Sequence, residues 1–415
     1  MQKRMKWWYI AQYLVFIAIL TFANLMSETM KNLPISLVLG FIMLTGVTLT
    51  LLEKEPTKPV LVFRWFEALA YPVSLSLVSS FLSQKIESIP FALFLAIYLL
   101  VTALPVLYSL LPIFKSVINR ILFSVQWFFI GGVPSIAPRL KVPYPLLRPL
   151  FTSGFWGSLA AAVFALALMR SLGFSFYDWK PTRKLSVLTL SFIGNFAVYF
   201  TLFNAFSIDN NWLDTLFVFD FSNFKPTPYL FWTAVRAGVF EEILCRYIFL
   251  LSFLYIWRHQ KYQINLAILV SSAIFGLLHI TNLMGGQDLI ATLSQVIFAI
   301  LIGFLLSSIY LYTGKLWTVI LFHILIDVFA FSSTGSSMME AMSINDFFTP
   351  HNVYMFLFLL LFSVWMLTGK RKNIIRTNVQ HLFEQKKSDP SWKVRSWLIN
   401  GMRAVSKQND IDTAL

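Results

Sequence analysis

Eleven apolar stretches, each long enough to cross a bilayer, constrain this chain more than any other feature of its sequence. A transmembrane helix needs about 20 mostly apolar residues. In lipid every backbone amide needs a partner within the span, and period-two alternation is absent, so we predict helices and not barrel strands. The predicted spans cover residues 7–26, 34–52, 65–83, 90–113, 151–170, 186–208, 228–254, 263–282, 289–312, 317–335 and 352–368. The expected fold is all-α, a polytopic transmembrane helical bundle of about 11 to 12 spans.

The composition excludes a soluble protein of this length. Hydrophobic residues make up 57% of the 415 residues and charged residues only 13%, whereas soluble domains carry about 25% charged residues. The net charge of +14 does not indicate a nucleic-acid partner, because the Lys and Arg residues lie between and after the apolar segments and not in one patch. The single cysteine, Cys245, excludes an intramolecular disulfide.

The charges of the connections predict the orientation in the membrane. Cytoplasmic connections hold an excess of Lys and Arg, and the tail begins with Lys370-Arg371-Lys372. We therefore place the C-terminus in the cytoplasm. The basic N-terminus also favours the cytoplasm, which requires an even number of spans. Either residues 118–135 are a marginal twelfth span or the N-terminus lies outside, and we favour the extra span. The connections near 171–185, 255–262 and 313–316 are basic, and those near 209–227 and 336–350 are acidic.

A proline-rich stretch before residue 150 predicts a domain boundary. We expect N-terminal transmembrane helices of unknown role with a linker over 1–150 and a core over 151–370. A basic cytoplasmic tail is expected over 371–415. In that tail, apolar residues recur at helical spacing and predict an amphipathic helix on the membrane surface, with a solvated, partly disordered tail as the alternative. These residues are Val394, Trp397, Leu398, Met402 and Val405.

Ionisable residues within apolar spans point to chemistry, because each costs about 2.5–3.5 kcal/mol at bilayer depth. The run Glu241-Glu242-Ile243-Leu244-Cys245-Arg246 holds three of them. Glu242 and Arg246 are four residues apart on one helix face and can neutralise each other. Glu241 lies about 100° further round the helix and lacks that partner. It is therefore free for acid–base chemistry.

Two further spans each carry a histidine. The first contains His279, and the second contains His323 with Asp327 one turn later on the same face. Polar side chains on spans avoid lipid, so we expect these groups and the glutamates to lie together at one site inside the bundle. Each histidine alone is more readily explained as a core residue.

The three motifs resemble the CAAX-protease and bacteriocin-processing family, also called the Rce-type or Abi family of intramembrane glutamic proteases. The family pattern is EExxxR, FxxxH and HxxxN or HxxxD on successive helices. It corresponds to Glu241-Glu242-xxx-Arg246, Phe275-xxx-His279 and His323-xxx-Asp327, and the stretch Thr313-Gly314-Lys315-Leu316-Trp317 is also similar to the family. The resemblance covers roughly residues 150–370 and leaves 1–150 unexplained.

The resemblance implies an intramembrane endopeptidase that cleaves a membrane-associated peptide or protein. Glu241 would be the general base and would hold the attacking water with His279, while Glu242 and Arg246 form a structural pair. His323 and Asp327 would stabilise the oxyanion. Asp327 departs from the asparagine found in the best understood form of the family, so it could instead orient His323. No cofactor is implied, and a bacterial plasma membrane is expected by analogy.

Other functions stay open. Glu241, His279 and His323 are a possible two-histidine, one-carboxylate zinc site, although the spacing differs from HExxH. A non-catalytic scaffold or immunity protein could keep the family fold and bind a membrane protein partner through residues 1–150. A transporter is disfavoured, because the two halves show no repeat.

Overall fold

The computed structural model describes residues 2–26, 33–52, 57–85, 87–111, 113–114, 117–126, 147–171, 174 and 185–388. Within these ranges the chain is helical, and the only strand-like pairing is a single bridge between Ser207 and Phe219. The predicted all-α fold is confirmed. The predicted tail face at 394–405, the proline-rich linker over 134–146 and residues 127–135 of the twelfth span lie outside the described residues.

The described residues of the N-terminal part form seven helices. They are α1 (Gln2–Leu25), α2 (Leu33–Leu52), α3 (Lys58–Ser83), α4 (Ile89–Leu110), α5 (Val117–Gln126), α6 (Leu147–Thr152) and α7 (Phe155–Ser171). Helices α1 to α5 form what we call the N-terminal bundle. Its apolar core also takes in one face of α7, through Ala160, Phe164 and Leu168.

The remaining helices form the C-terminal bundle. They are α8 (Val187–Phe206), α9 (Trp212–Phe217), α10 (Pro228–Glu242), α11 (Leu251–Ile256), α12 (Gln263–Leu278), α13 (Leu289–Thr313), α14 (Leu316–Thr334), α15 (Pro350–Met366) and α16 (Gly369–Ser388). A π-helix, Ile243–Leu250, joins α10 to α11 without a break. A 3-10 helix, His279–Gly285, extends α12, and a second one covers Ile344–Phe348.

The predicted spans coincide with these helices. In the described part of the chain, eight helices are long and apolar enough to cross a membrane, or nine if the bent pair α15 and α16 forms one span. Helix α7 is shorter, and the predicted span 228–254 is divided among α10, the π-helix and α11. The bend of 67° between α15 and α16 turns the chain at Met366.

Helix α7 connects the two bundles. Its second face, with Ala162, Ala165 and Met169, belongs to the core of the C-terminal bundle. The predicted boundary near residue 150 therefore falls just before a helix that both cores share. The division into domains stays a prediction.

A buried ion pair and its hydrogen bonds connect helices of the N-terminal bundle. The Arg64 guanidinium donates to Glu67 Oε2 at 2.6 Å, to Thr50 Oγ1 at 3.0 Å and to the Gly46 carbonyl at 3.2 Å. Glu67 is fully buried. One turn further along α3, the Tyr71 hydroxyl donates to the Thr102 carbonyl of α4 at 2.8 Å. These bonds tie α2, α3 and α4 together within the apolar core.

Candidate active site

The paired glutamates lie where the backbone hydrogen bonding of the helix changes. Helix α10 ends at Glu242, and the π-helix begins at Ile243. In a π-helix the bonds run from i to i+5, and such turns are rare and frequent at functional sites. The sequence spacing gives no sign of this change.

Glu242 is fully buried and contacts two other site residues. Its Oε1 lies 3.0 Å from Arg246 Nη1 and 2.7 Å from His323 Nδ1. The predicted contact between Glu242 and Arg246 is present. The contact with His323 was not predicted, and it joins the first motif to the third.

Phe275, the first residue of the second motif, contacts groups from all three motifs. The Arg246 guanidinium carbon lies 4.5 Å from the centre of its ring, a cation–π distance. Its ring packs edge-on against His279 at 5.1 Å and against His323 at 6.0 Å between centroids. The aromatic residue therefore spaces the two imidazoles and covers the buried cation.

Glu241 is the exposed member of the glutamate pair. Its side chain is 27% exposed, compared with 0% for Glu242. Its Oε2 lies 3.7 Å from His323 Nε2 and 4.0 Å from His279 Nε2. These distances are too long for direct hydrogen bonds. They suit one water molecule that contacts the carboxylate and an imidazole together.

His279 is held by the end of its own helix. Its Nδ1 lies 2.9 Å from the Phe275 carbonyl oxygen, and a carbonyl only accepts, so Nδ1 carries the proton. In neutral imidazole the other nitrogen is then an acceptor. His279 thus presents an acceptor nitrogen, Nε2, toward Glu241.

Two glycines allow the helices to approach closely enough for these contacts. A Cβ on Gly238 in α10 would lie 2.6 Å from Ile324 Cγ1 and 3.1 Å from Ile324 N in α14. A Cβ on Gly276 in α12 would lie 2.7 Å from the Val296 carbonyl oxygen of α13. Each glycine is within one turn of a site residue, so the close helix crossings bring residues from separate spans together.

Asp327 lies farther from His323 than a hydrogen bond that orients the imidazole would require. Its Oδ2 lies 3.5 Å from His323 Nε2, beyond the usual range of a hydrogen bond. The sequence-based interpretation allowed Asp327 to orient His323. In the structure the short contact to that imidazole comes from Glu242, on the other ring nitrogen.

A cavity of about 360 Å³ adjoins Glu241, His279, His323 and Asp327. Sequence reasoning missed its other polar lining residues. The one indication of them in the sequence was that they are polar residues within or beside apolar runs. They are Thr233, Arg236, Thr281, Asn282, Gln295 and Ser337.

A glutamine network braces the 3-10 helix that follows His279. Asn282 Nδ2 and Gln287 Nε2 each donate to Gln295 Oε1 at 2.8 Å. Gln287 is buried. These bonds tie the 3-10 helix to α13 beside the cavity.

No group of three or more His, Cys, Asp and Glu side chains in the described ranges is arranged to hold a metal ion. The zinc alternative for Glu241, His279 and His323 therefore gains no support from the geometry.

Residues 223–329 match a family model described as type II CAAX prenyl endopeptidase Rce1-like. No curated protein and no solved structure matches the chain. The matched segment contains every residue of the three motifs, from Glu241 to Asp327.

Proposed function

This chain belongs, through residues 223–329, to the Rce1-like family of CAAX-type proteases, and we propose that it is an intramembrane glutamate-dependent endopeptidase. The observation that carries the proposal is the placement of Glu241 beside the cavity, one water molecule away from His279 and His323. The substrate is a membrane-associated peptide or protein.

The attacking water would lie between Glu241 and His279. A water about 2.8 Å from both acceptor atoms fits between Glu241 Oε2 and His279 Nε2, which are 4.0 Å apart. It would donate one hydrogen bond to each and aim a lone pair into the cavity. Glu241 then takes a proton as the water oxygen bonds to the substrate carbonyl carbon, as general-base catalysis requires.

His323 would stabilise the oxyanion. Its Nδ1 donates to Glu242 Oε1 at 2.7 Å, and in the imidazolium form Nε2 is a second donor. Nε2 lies 3.7 Å from Glu241 Oε2, at the cavity. A donor aimed at the developing charge stabilises the tetrahedral intermediate. On collapse the C–N bond breaks, and Glu241 returns its proton to the leaving amine.

Glu242 and Arg246 would act as positioning residues. Both are buried, and neither lines the cavity. Glu242 fixes the ring of His323, and Arg246 neutralises Glu242. We further propose that residues 151–370 form the protease core, with the C-terminus in the cytoplasm and residues 1–150 available to a membrane protein partner.

The test is the Glu241→Gln variant, expressed in cells beside the parent chain and compared by mass spectrometry of membrane-associated peptides. Glutamine keeps the shape of the side chain and removes the base, so peptides cut by the parent chain should stay uncut. The matched control is Glu87→Gln, which changes an exposed glutamate in the connection between α3 and α4 and should leave the peptide pattern unchanged.

If the Glu241→Gln variant is present at the parent level and still yields the cut peptides, the enzymatic proposal is wrong. The scaffold alternative would then be favoured, because it requires the fold and not the base. Loss of processing after chelator treatment would instead favour the zinc alternative.

A further inference from the structure

The C-terminal bundle has two distinct ends. At one end, the Lys225 amide donates to the Ser332 carbonyl at 2.8 Å, and the Met339 amide donates to Gln287 Oε1 at 3.3 Å. These bonds hold three connections side by side. The connections cover residues 207–227, 279–288 and 335–349.

The opposite end is formed by the other connections and by the start of α16. Asn378 of α16 donates to the Leu311 carbonyl at 3.1 Å and to the Tyr312 carbonyl at 2.9 Å, next to the end of α13. The segments at this end cover residues 257–262, 314–315 and 367–376.

The two ends carry opposite charge. The first, which we call the acidic end, holds six acidic residues and one lysine, namely Asp209, Asp214, Asp220, Asp288, Glu340, Asp346 and Lys225. The second, the basic end, holds seven basic and no acidic residues in those segments, namely Arg258, Lys261, Lys315, Lys370, Arg371, Lys372 and Arg376. Positive charge is retained on the cytoplasmic side of membranes. The positive-inside rule therefore predicts that the basic end is cytoplasmic.

The exposed part of the lining of the cavity beside Glu241 lies toward the acidic end. Of the residues that line it, Leu244 and Ile302 lie between Glu241 and the basic end and are buried. Thr281 and Ser337 lie in acidic-end connections and are exposed. The lining thus passes from buried to exposed toward the acidic end.

We propose that the cavity is entered from the acidic end, so that the substrate is a peptide segment on the extracytoplasmic side of the membrane. The identification of the occupant as a substrate rests on the proposed function, whereas the side of entry rests on the cavity and the charges alone. An extracytoplasmic entrance restricts the substrates to exported peptides and to the external segments of membrane proteins.

The side of entry can be measured by labelling single introduced cysteines with a membrane-impermeant maleimide. Ser337→Cys places a thiol at the cavity mouth, and Arg258→Cys places a matched exposed thiol at the basic end. The parent chain serves as the blank, since its only cysteine, Cys245, is 1% exposed. If the blank reacts, the same pair is made in a Cys245→Ala background.

We expect intact spheroplasts to label the Ser337→Cys chain and to leave the Arg258→Cys chain unlabelled until the membrane is permeabilised. Protection of Ser337→Cys in intact spheroplasts, or labelling of Arg258→Cys there, overturns the proposed side of entry. A variant that fails to accumulate is replaced by Thr281→Cys at the mouth or by Lys261→Cys at the basic end.

A second arm separates this inference from the proposed function. A reporter peptide identified as a cleaved species is added to right-side-out and to inverted membrane vesicles. Cleavage in right-side-out vesicles alone supports external entry, and cleavage in inverted vesicles alone overturns it. If the cysteines are labelled as expected but the peptide is cleaved in neither vesicle orientation, the proposed side of entry is supported and the proposed enzymatic function is contradicted.

Discussion

The two bundles each contain a buried carboxylate–arginine pair, yet only one pair lies beside a candidate active site. In the N-terminal bundle Arg64 Nη1 lies 2.6 Å from Glu67 Oε2, and in the C-terminal bundle Arg246 Nη1 lies 3.0 Å from Glu242 Oε1. Both glutamates are fully buried. The difference is the neighbouring carboxylate, Glu241, which borders a cavity and whose ion-pair contacts within 4.0 Å in the described ranges are to the imidazoles of His279 and His323.

A buried ion pair is therefore not by itself a sign of catalysis. Such a pair contributes little net stability relative to apolar packing, but breaking it leaves an uncompensated charge. In the N-terminal bundle the pair and its hydrogen bonds fix how the helices pack. In the C-terminal bundle the same kind of pair contacts an imidazole, and a second carboxylate borders the cavity.

Removal of the cation should have the largest effect, in both bundles. Arg64→Met and Arg246→Met each remove the arginine partner of a buried carboxylate, which costs roughly 3–5 kcal/mol. We expect a clear fall in the melting temperature of both purified variants. Only Arg246→Met should also lose processing at a temperature where the protein is still folded, because His323 then loses its anchored partner.

If the folded fractions of the two variants process the substrate equally, the result would contradict a purely structural role for the Arg64–Glu67 pair and a site-positioning role for the Arg246–Glu242 pair. A matched exposed substitution, Arg258→Met, should change neither property, since surface substitutions usually have small effects.

Each bundle also contains a glycine at a close helix contact beside its ion pair. In α10, Gly238→Ala places a Cβ 3.1 Å from the backbone nitrogen of Ile324, and in α2, Gly46→Ala places one 2.6 Å from Glu67 Cδ. Overpacking of this kind costs about 1–3 kcal/mol. Gly238→Ala should also lower the processing rate by up to about 100-fold, because displacing the reacting groups by about 1 Å can slow a reaction by that factor.

The control for both is Gly40→Ala, whose Cβ would meet no atom within 4 Å. It should leave both melting temperature and rate unchanged. A normal rate for Gly238→Ala would show that the crossing of α10 and α14 does not set the geometry of the site.

The smallest effect is expected at Asp327. Asp327→Asn should change the processing rate by no more than about 3-fold, since the 2.7 Å hydrogen bond that His323 Nδ1 donates to Glu242 Oε1 orients the imidazole and the asparagine amide supplies a hydrogen-bond donor to the cavity. Glu242→Gln should reduce the rate far more. Steady-state rates of the two purified variants on one reporter peptide test this order, and a reversed order would return the orienting role to Asp327.

The sequence was sufficient for the helices and for the residues of the motifs. Apolar runs define helices in lipid, and the ionisable residues Glu241, Glu242, Arg246, His279, His323 and Asp327 are conspicuous because they are costly there. Their convergence on one cavity followed from their need to avoid lipid.

The sequence was not sufficient for the contacts between helices. The bond from His323 to Glu242 depends on how α10 crosses α14, and the spacing of residues along one helix carries no information on that crossing. The π-helix after Glu242 and the 3-10 helix after Leu278 are backbone changes without a residue signature. The Arg64–Glu67 pair was overlooked because no motif drew attention to it.

The most direct test of the difference between the bundles is a crossed measurement on two purified variants, Glu241→Gln and Glu67→Gln, in lipid nanodiscs. For Glu241→Gln we predict a loss of about 10²–10⁴ in the cleavage rate, with the melting temperature of the parent chain. For Glu67→Gln we predict a lower melting temperature and a rate close to that of the parent. A Glu241→Gln variant that cleaves the reporter peptide as fast as the parent would contradict the central claim that this carboxylate activates the water.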